Sequence, residues 1–151
     1  MPFLSTRKAL CIAVAALWSA SALAQFAKPK DAVEYREAGM TLISSHFGRM
    51  APVVRGQQPY DKAAIKANVD TLKMLATLPW AGFASNAPGG DALPKIWSDA
   101  AGFKQEQVKF TNNIAKLSAA ADAGDFAQLK VAFGDVGASC KSCHNAYRNQ
   151  D

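Results

Sequence analysis

Histidine and cysteine are scarce in this chain of 151 residues: two histidines, His46 and His144, and three cysteines, Cys11, Cys140 and Cys143. That scarcity argues against a zinc site. Cys140, Cys143 and His144 would have only His46 as a fourth donor, and adjacent Cys-His ligands do not fit common zinc spacings. No apolar run after residue 24 is long enough to cross a bilayer, which excludes a membrane span there. Period-2 alternation is also lacking, so half-buried strands are excluded and the class is all-α. Neither repeats nor low-complexity tracts occur. The charge is mild, with 17 basic and 12 acidic residues, and the basic ones are scattered singly as on solvated helix faces. Nucleic acid is therefore not an expected partner.

The first 24 residues stand apart. Arg7 and Lys8 precede the apolar stretch "ALCIAVAALWSA", and the small-residue tripeptide Ala22-Leu23-Ala24 follows it. This is the layout of a cleavable secretory signal, and its apolar part is too short for a transmembrane helix. Cys11 lies inside that part rather than after it, and Lys8 stands where a lipoprotein cleavage site needs an aliphatic residue, so no lipid anchor is expected. The reading predicts a leader over residues 1–24, a single domain over residues 25–151, and an extracytoplasmic location. Losing Arg7 and Lys8 lowers the formal charge of +5 by two.

Four segments carry helical periodicity. In the first, Val33, Met40, Ile43, Phe47 and Met50 share a face, and Pro52 is expected to end or kink the helix. The second starts at Asp61 as N-cap, aligns Ile65, Val69, Leu72 and Ala76, and stops at Leu78-Pro79. The third starts near Ser98, carries Phe103, Phe110, Ile114, Leu117 and Ala121, and ends at Gly124. Asp125 caps the fourth, where Phe126, Leu129, Phe133, Val136, Cys140, Cys143 and Tyr147 step by 3, 4, 3, 4, 3 and 4. Gly134 and Gly137 weaken that helix by up to ~1 kcal/mol each, which calls for either a close approach to its backbone or a tight helix contact. Short connections make neighbours antiparallel, so an up-and-down four-helix bundle is expected. The connection "PWAGFASNAPGGDALPKIW" is longer than usual and carries Trp80, Phe83, Leu93, Ile96 and Trp97, as a covering segment would.

Both remaining cysteines lie in the tail, in Cys140-Lys141-Ser142-Cys143-His144. Two thiols one helical turn apart can each add to a vinyl group on a porphyrin edge, and the next residue offers an imidazole to the iron; this spacing is the attachment signature of haem c. A thioredoxin-like disulfide would require a strand-loop-helix setting, and a structural disulfide between adjacent turns of one helix would be strained. Asn145 to Asp151 contains no methionine, histidine or cysteine, so any sixth ligand must come from upstream. The candidates are Met40, Met50, Met74 and His46. His46 is six residues beyond Met40, about 240° round the helix, so the two cannot face one iron. With Tyr35, Gly39 and Leu42 it forms a second stripe, read as an interface or packed surface.

Three stretches, "YREAGM", "LPWAGF" and "FGDVGASCKSCHNAYR", together resemble cytochrome c′, the class II c-type cytochromes. The likeness extends over Gln25 to Asp151. It implies an antiparallel four-helix bundle with one covalently bound haem c, and usually a homodimer through the first two helices. It further implies thioethers at Cys140 and Cys143, axial ligation by His144, and Arg36, Glu37 and Asp91 at the haem edge. Met40 would stand at the distal position, lined further by Trp80, Phe83 and Phe103, with Arg148 on the proximal side. Most such proteins keep the distal iron position empty and admit small diatomic gases, nitric oxide and carbon monoxide.

The expected role is therefore a periplasmic, five-coordinate gas-binding haem protein with Met40 as a steric plug. The alternative is a soluble electron carrier with Met40 and His144 both on the iron, serving an unidentified redox partner protein. Enzymatic turnover is not expected, because peroxide cleavage needs a distal acid-base group and no histidine is predicted there.

Overall fold

The computed structural model describes residues 25–83 and 87–150; the leader expected over residues 1–24 lies outside them. Among the described residues five α-helices and a 3-10 segment follow one another: α1 Pro29–Val54, α2 Lys62–Leu75, the 3-10 turn Pro79–Phe83, α3 Lys95–Ser98, α4 Ala100–Ala123 and α5 Phe126–Tyr147. The long helices α1, α2, α4 and α5 form the antiparallel bundle, with α5 against α4, α4 against α2, and α1 against α2 and α5. Strands are absent among the described residues, apart from isolated bridges that pair Ala92 with Gly89 and with Arg148.

Local chemistry sets the helix ends. Asp61, Asp99 and Asp125 each accept a backbone N–H from the first turn, those of Ala64, Gly102 and Gln128, at 3.0, 3.1 and 2.9 Å. A cap of this kind is worth about 1 kcal/mol. Gly124 closes α4 in the left-handed region at φ 72°, which a residue with a Cβ rarely adopts. Pro52 lies in the last turn of α1, which runs on to Val54. It forfeits its own N–H bond, yet its carbonyl accepts from Gln57 at 2.8 Å and the chain leaves the helix within a turn.

Two apolar clusters divide the bundle. The larger joins all four long helices through Ile43, Met50, Val69, Leu72, Leu117, Leu129 and Val136, while Phe47 of α1 stacks on Phe133 of α5 at 4.1 Å between ring centres. Leu72, Leu117 and Leu129 are wholly buried, and each contributes about 1.5–3 kcal/mol. Of the two glycines of α5, Gly137 faces α1, where a Cβ would rest at an ordinary 3.7 Å from the Phe47 ring, while a Cβ at Gly134 would meet nothing within 4 Å among the described residues.

The smaller cluster lies where the connection between α2 and α4 meets the end of α5. Ile96, Phe103 and Tyr147 are buried there, with Trp80, Phe83, Trp97 and Cys143 packed on them. That connection covers the cluster as its length and apolar residues led one to expect, with the 3-10 turn and α3 at its two ends. It is stitched to the tail of the chain: Leu93 N–H donates to Tyr147 O at 3.0 Å and Asn149 N–H to Asp91 O at 2.8 Å.

Candidate haem site

The last turns of α5 bring the cysteines and His144 to the smaller cluster. Cys140 and Cys143 are both free and half-buried. Burial pushes the Cys140 thiol above its ordinary value. At Cys143 burial acts first and the Glu106 carboxylate adds to it, together raising the thiol to about 11. His144 is held below the usual imidazole value, by burial and then by the Arg148 cation.

A cavity of about 710 Å³ opens beside these residues. Cys143, His144, Tyr147 and Arg148 line it from α5 and its end; Arg36, Glu37, Met40, Thr41, Ser44 and Ser45 line it from α1. Trp80 and Phe83 enter from the 3-10 turn, Asp91, Ala92 and Ile96 from the connection, and Phe103 from α4. Among the expected site residues Cys140 alone does not border this space; it packs against the main core one turn earlier. Of the upstream ligand candidates, Met40 alone borders it. Met50 is buried in the core, Met74 is exposed, and His46 is tied to α2. His46 Nδ1 pairs with Asn68 Oδ1 at 2.8 Å, and Asn68 Nδ2 donates to the His46 carbonyl at 2.7 Å.

Arg36 is held more firmly than a cation at a cofactor edge needs to be. Its Nη1 donates to the carbonyls of Gly82 and Ala87 at 2.8 and 2.6 Å, and its Nη2 to that of Gly89 at 2.5 Å. The guanidinium also lies over the Phe83 ring, 4.9 Å from its centre. Five N–H donors leave two for an acidic group in the cavity. Glu37 is exposed and lies against Gly90. Asp91 Oδ2 accepts from Arg148 Nη2 at 2.8 Å, an exposed pair joining the connection to the segment after His144.

Several functional neighbours escape a reading of the sequence. Thr41, Ser44 and Ser45 stand four residues beyond Glu37, Met40 and Thr41 respectively, and helical spacing was the signal that could have placed them at the cavity. Tyr147 Oη donates to Asp99 Oδ2 at 2.7 Å, and Ser142 Oγ donates to Glu106 Oε1 at 3.0 Å. Both bonds join α4 to the haem-attachment segment, and neither partner can be guessed from local sequence.

The fit to haem c rests on the chemistry of the walls. Two thiols one turn apart stand beside an imidazole whose burial disfavours its protonated form. The cavity has the volume of a cofactor site, with aromatic and aliphatic walls and one buried cation at its side. A flat apolar macrocycle with acidic edge groups matches that set.

The family model described as cytochrome c′ matches residues 31–148. Cytochrome c′ of Alcaligenes xylosoxydans xylosoxydans is 67% identical over 126 residues, covering 83% of this chain and 99% of that protein. Cytochrome c′ of Rubrivivax gelatinosus is 43% identical over 129 residues, 83% of this chain and 100% of that one. A cytochrome c-554 of Cereibacter sphaeroides is 33% identical over 137 residues, 86% of this chain and 89% of its own. Among solved structures, a nitric oxide complex of a point mutant of cytochrome c prime from Alcaligenes xylosoxidans superposes with a TM-score of 0.82 at 66% identity, covering 83% of this chain and 99% of that one. With the attachment motif at the wall of a fitting cavity and relatives matched over nearly their whole length, this chain belongs to the cytochrome c′ family, and its cofactor is haem c.

Proposed function

We propose that this protein is an exported haem protein that captures small uncharged diatomic gases, chiefly nitric oxide and carbon monoxide, at an iron whose sixth position is open. Haem c supplies the iron centre that binds the gas or carries one electron. Cys140 and Cys143 would hold the macrocycle through thioethers and His144 would be its axial ligand. Arg36, Glu37 and Asp91 would face its edge. Met40, Trp80, Phe83 and Phe103 would crowd the distal side, and Arg148 would flank the proximal one.

One observation carries this reading: the cavity that takes His144 from α5 takes Met40, Trp80, Phe83 and Phe103 from the elements around it. Apolar and aromatic walls on that side favour a small uncharged ligand over a polar one. Among the described residues that line the cavity the one histidine is His144, the expected axial ligand. The nitric oxide complexes solved for the Alcaligenes xylosoxidans relative support the same choice. Titration of reduced holoprotein with nitric oxide should give one saturable optical transition per chain; no transition would refute the reading.

A second reading has Met40 and His144 together on the iron of a soluble electron carrier, as the position of the Met40 thioether in the cavity wall permits. For assembly, the family resemblance supports a homodimer through α1 and α2, on which Leu42 and Met74 are exposed. The leader read over residues 1–24 supports a periplasmic location. No helix among the described residues is long and apolar enough to cross a membrane.

A further inference from the structure

Glu106, on the face of α4 turned toward α5, is an acidic side chain that reaches the attachment motif from outside it. Its Oε1 accepts a hydrogen bond at 3.0 Å from Ser142, the residue between Lys141 and Cys143 inside the motif. Its Oε2 is buried and, among the described residues, has no hydrogen-bond partner. Glu106 forms no ion pair among the described residues either; the nearby Lys104 ammonium is directed to Gln107 at 3.5 Å. A carboxylate with one oxygen buried, one donor and no ion-pair partner is screened less than an exposed one and keeps more of its field.

We propose that Glu106 sets the reduction potential of the haem, holding it below the value the same site would have without this charge. The inference rests on the haem reading above. The redox step is transfer of one electron from an external one-electron donor to ferric haem, giving ferrous haem, with no bond made or broken at Glu106. Reduction adds negative charge to a macrocycle attached next to Ser142, and the carboxylate opposes that addition by Coulomb repulsion. Its field already reaches Cys143 and Tyr147, where it opposes ionisation of the thiol and the phenol. Ser142 moderates the effect by donating to one of the two oxygens.

The test is a spectroelectrochemical titration of holoprotein at neutral pH, comparing wild type with Glu106→Gln, Glu106→Asp and Ser142→Ala. Glu106→Gln keeps the shape and removes the charge. Its reduction equilibrium should shift roughly tenfold toward the ferrous form, about 59 mV upward for one electron. Glu106→Asp, which keeps the charge, should stay close to wild type. Ser142→Ala removes the donor and should move the potential downward or leave it in place. A potential unmoved in Glu106→Gln would overturn the assignment, as would equal upward shifts in Glu106→Gln and Ser142→Ala, which would mark loosened packing. Intact mass separates this from the haem reading. A wild-type chain without covalent haem would refute both, whereas covalent haem with an unmoved potential would refute the role of Glu106 alone.

Discussion

Tyr147 and Asp99 are joined by a hydrogen bond of 2.7 Å that ties the last residue of the haem-bearing helix α5 to the N-cap of α4. Each partner's ionisation is displaced by the other. The Tyr147 donor, ahead of the Gly102 N–H, holds the Asp99 carboxyl below its ordinary value, and the Asp99 acceptor pushes the Tyr147 phenol up to about 12. A depressed acid stabilises the fold above its unfolded value and loses that contribution as pH falls through its folded one. A raised phenol contributes fully below its unfolded value, about 10, and the contribution is lost as pH climbs to about 12. The stability difference between wild type and Tyr147→Phe should therefore be flat from about pH 5 to about pH 9 and shrink beyond both limits. Thermal melts of the two holoproteins from about pH 3 to about pH 12 check it; a difference that stays constant to both ends of that span would contradict it.

Arg36 should be costly to replace. Its guanidinium satisfies three carbonyls on the connection between α2 and α4, and Arg36 itself is buried. Arg36→Ala leaves those carbonyls without their charged donor and removes the cation from the face of Phe83, for an expected loss of about 3 kcal/mol. Urea unfolding of the holoprotein gives the number. Hydrogen exchange should quicken at Leu93 and Asn149, whose N–H groups tie the connection to the tail.

Gly82 carries a steric prediction. A Cβ there would lie 2.5 Å from the Ala32 carbonyl oxygen and 2.7 Å from the Arg36 Cβ, so the 3-10 turn would have to withdraw from α1. Gly82→Ala should destabilise the protein by about 1–3 kcal/mol, read as a lowered melting temperature. Gly134→Ala, in open space on α5, should raise stability by about 0.5–1 kcal/mol instead. Opposite signs for the same substitution at two glycines would confirm that contact with α1, rather than glycine content, decides the cost.

The parts legible in the sequence were those set by neighbours along the chain. Asp61, Gly124 and Asp125 mark helix ends because a cap needs only the next three residues, and the α5 seam is visible because its period is unbroken over seven positions. The attachment motif is legible for the same reason. Pro52 marks the end of α1 to within two residues, since a proline in the last turn costs one hydrogen bond and the helix closes at Val54. The connection is legible as a covering segment, but its α3 and 3-10 turn span only four and five residues, too few to display a period. Arg36 was placed at the cavity by resemblance, but its grip on the carbonyls of Gly82, Ala87 and Gly89 joins residues about 50 positions apart, which no local pattern encodes. The bonds from Ser142 to Glu106 and from Tyr147 to Asp99 were hidden by the same distance.

The open distal site stands or falls on Met40. The measurement is the optical spectrum of oxidised holoprotein, wild type against Met40→Ala. The account predicts a high-spin spectrum in both, with faster gas binding once the thioether that borders the cavity is cut back. A long-wavelength sulfur-to-iron band in the wild type that disappears in Met40→Ala would contradict it and establish Met40 as the sixth ligand.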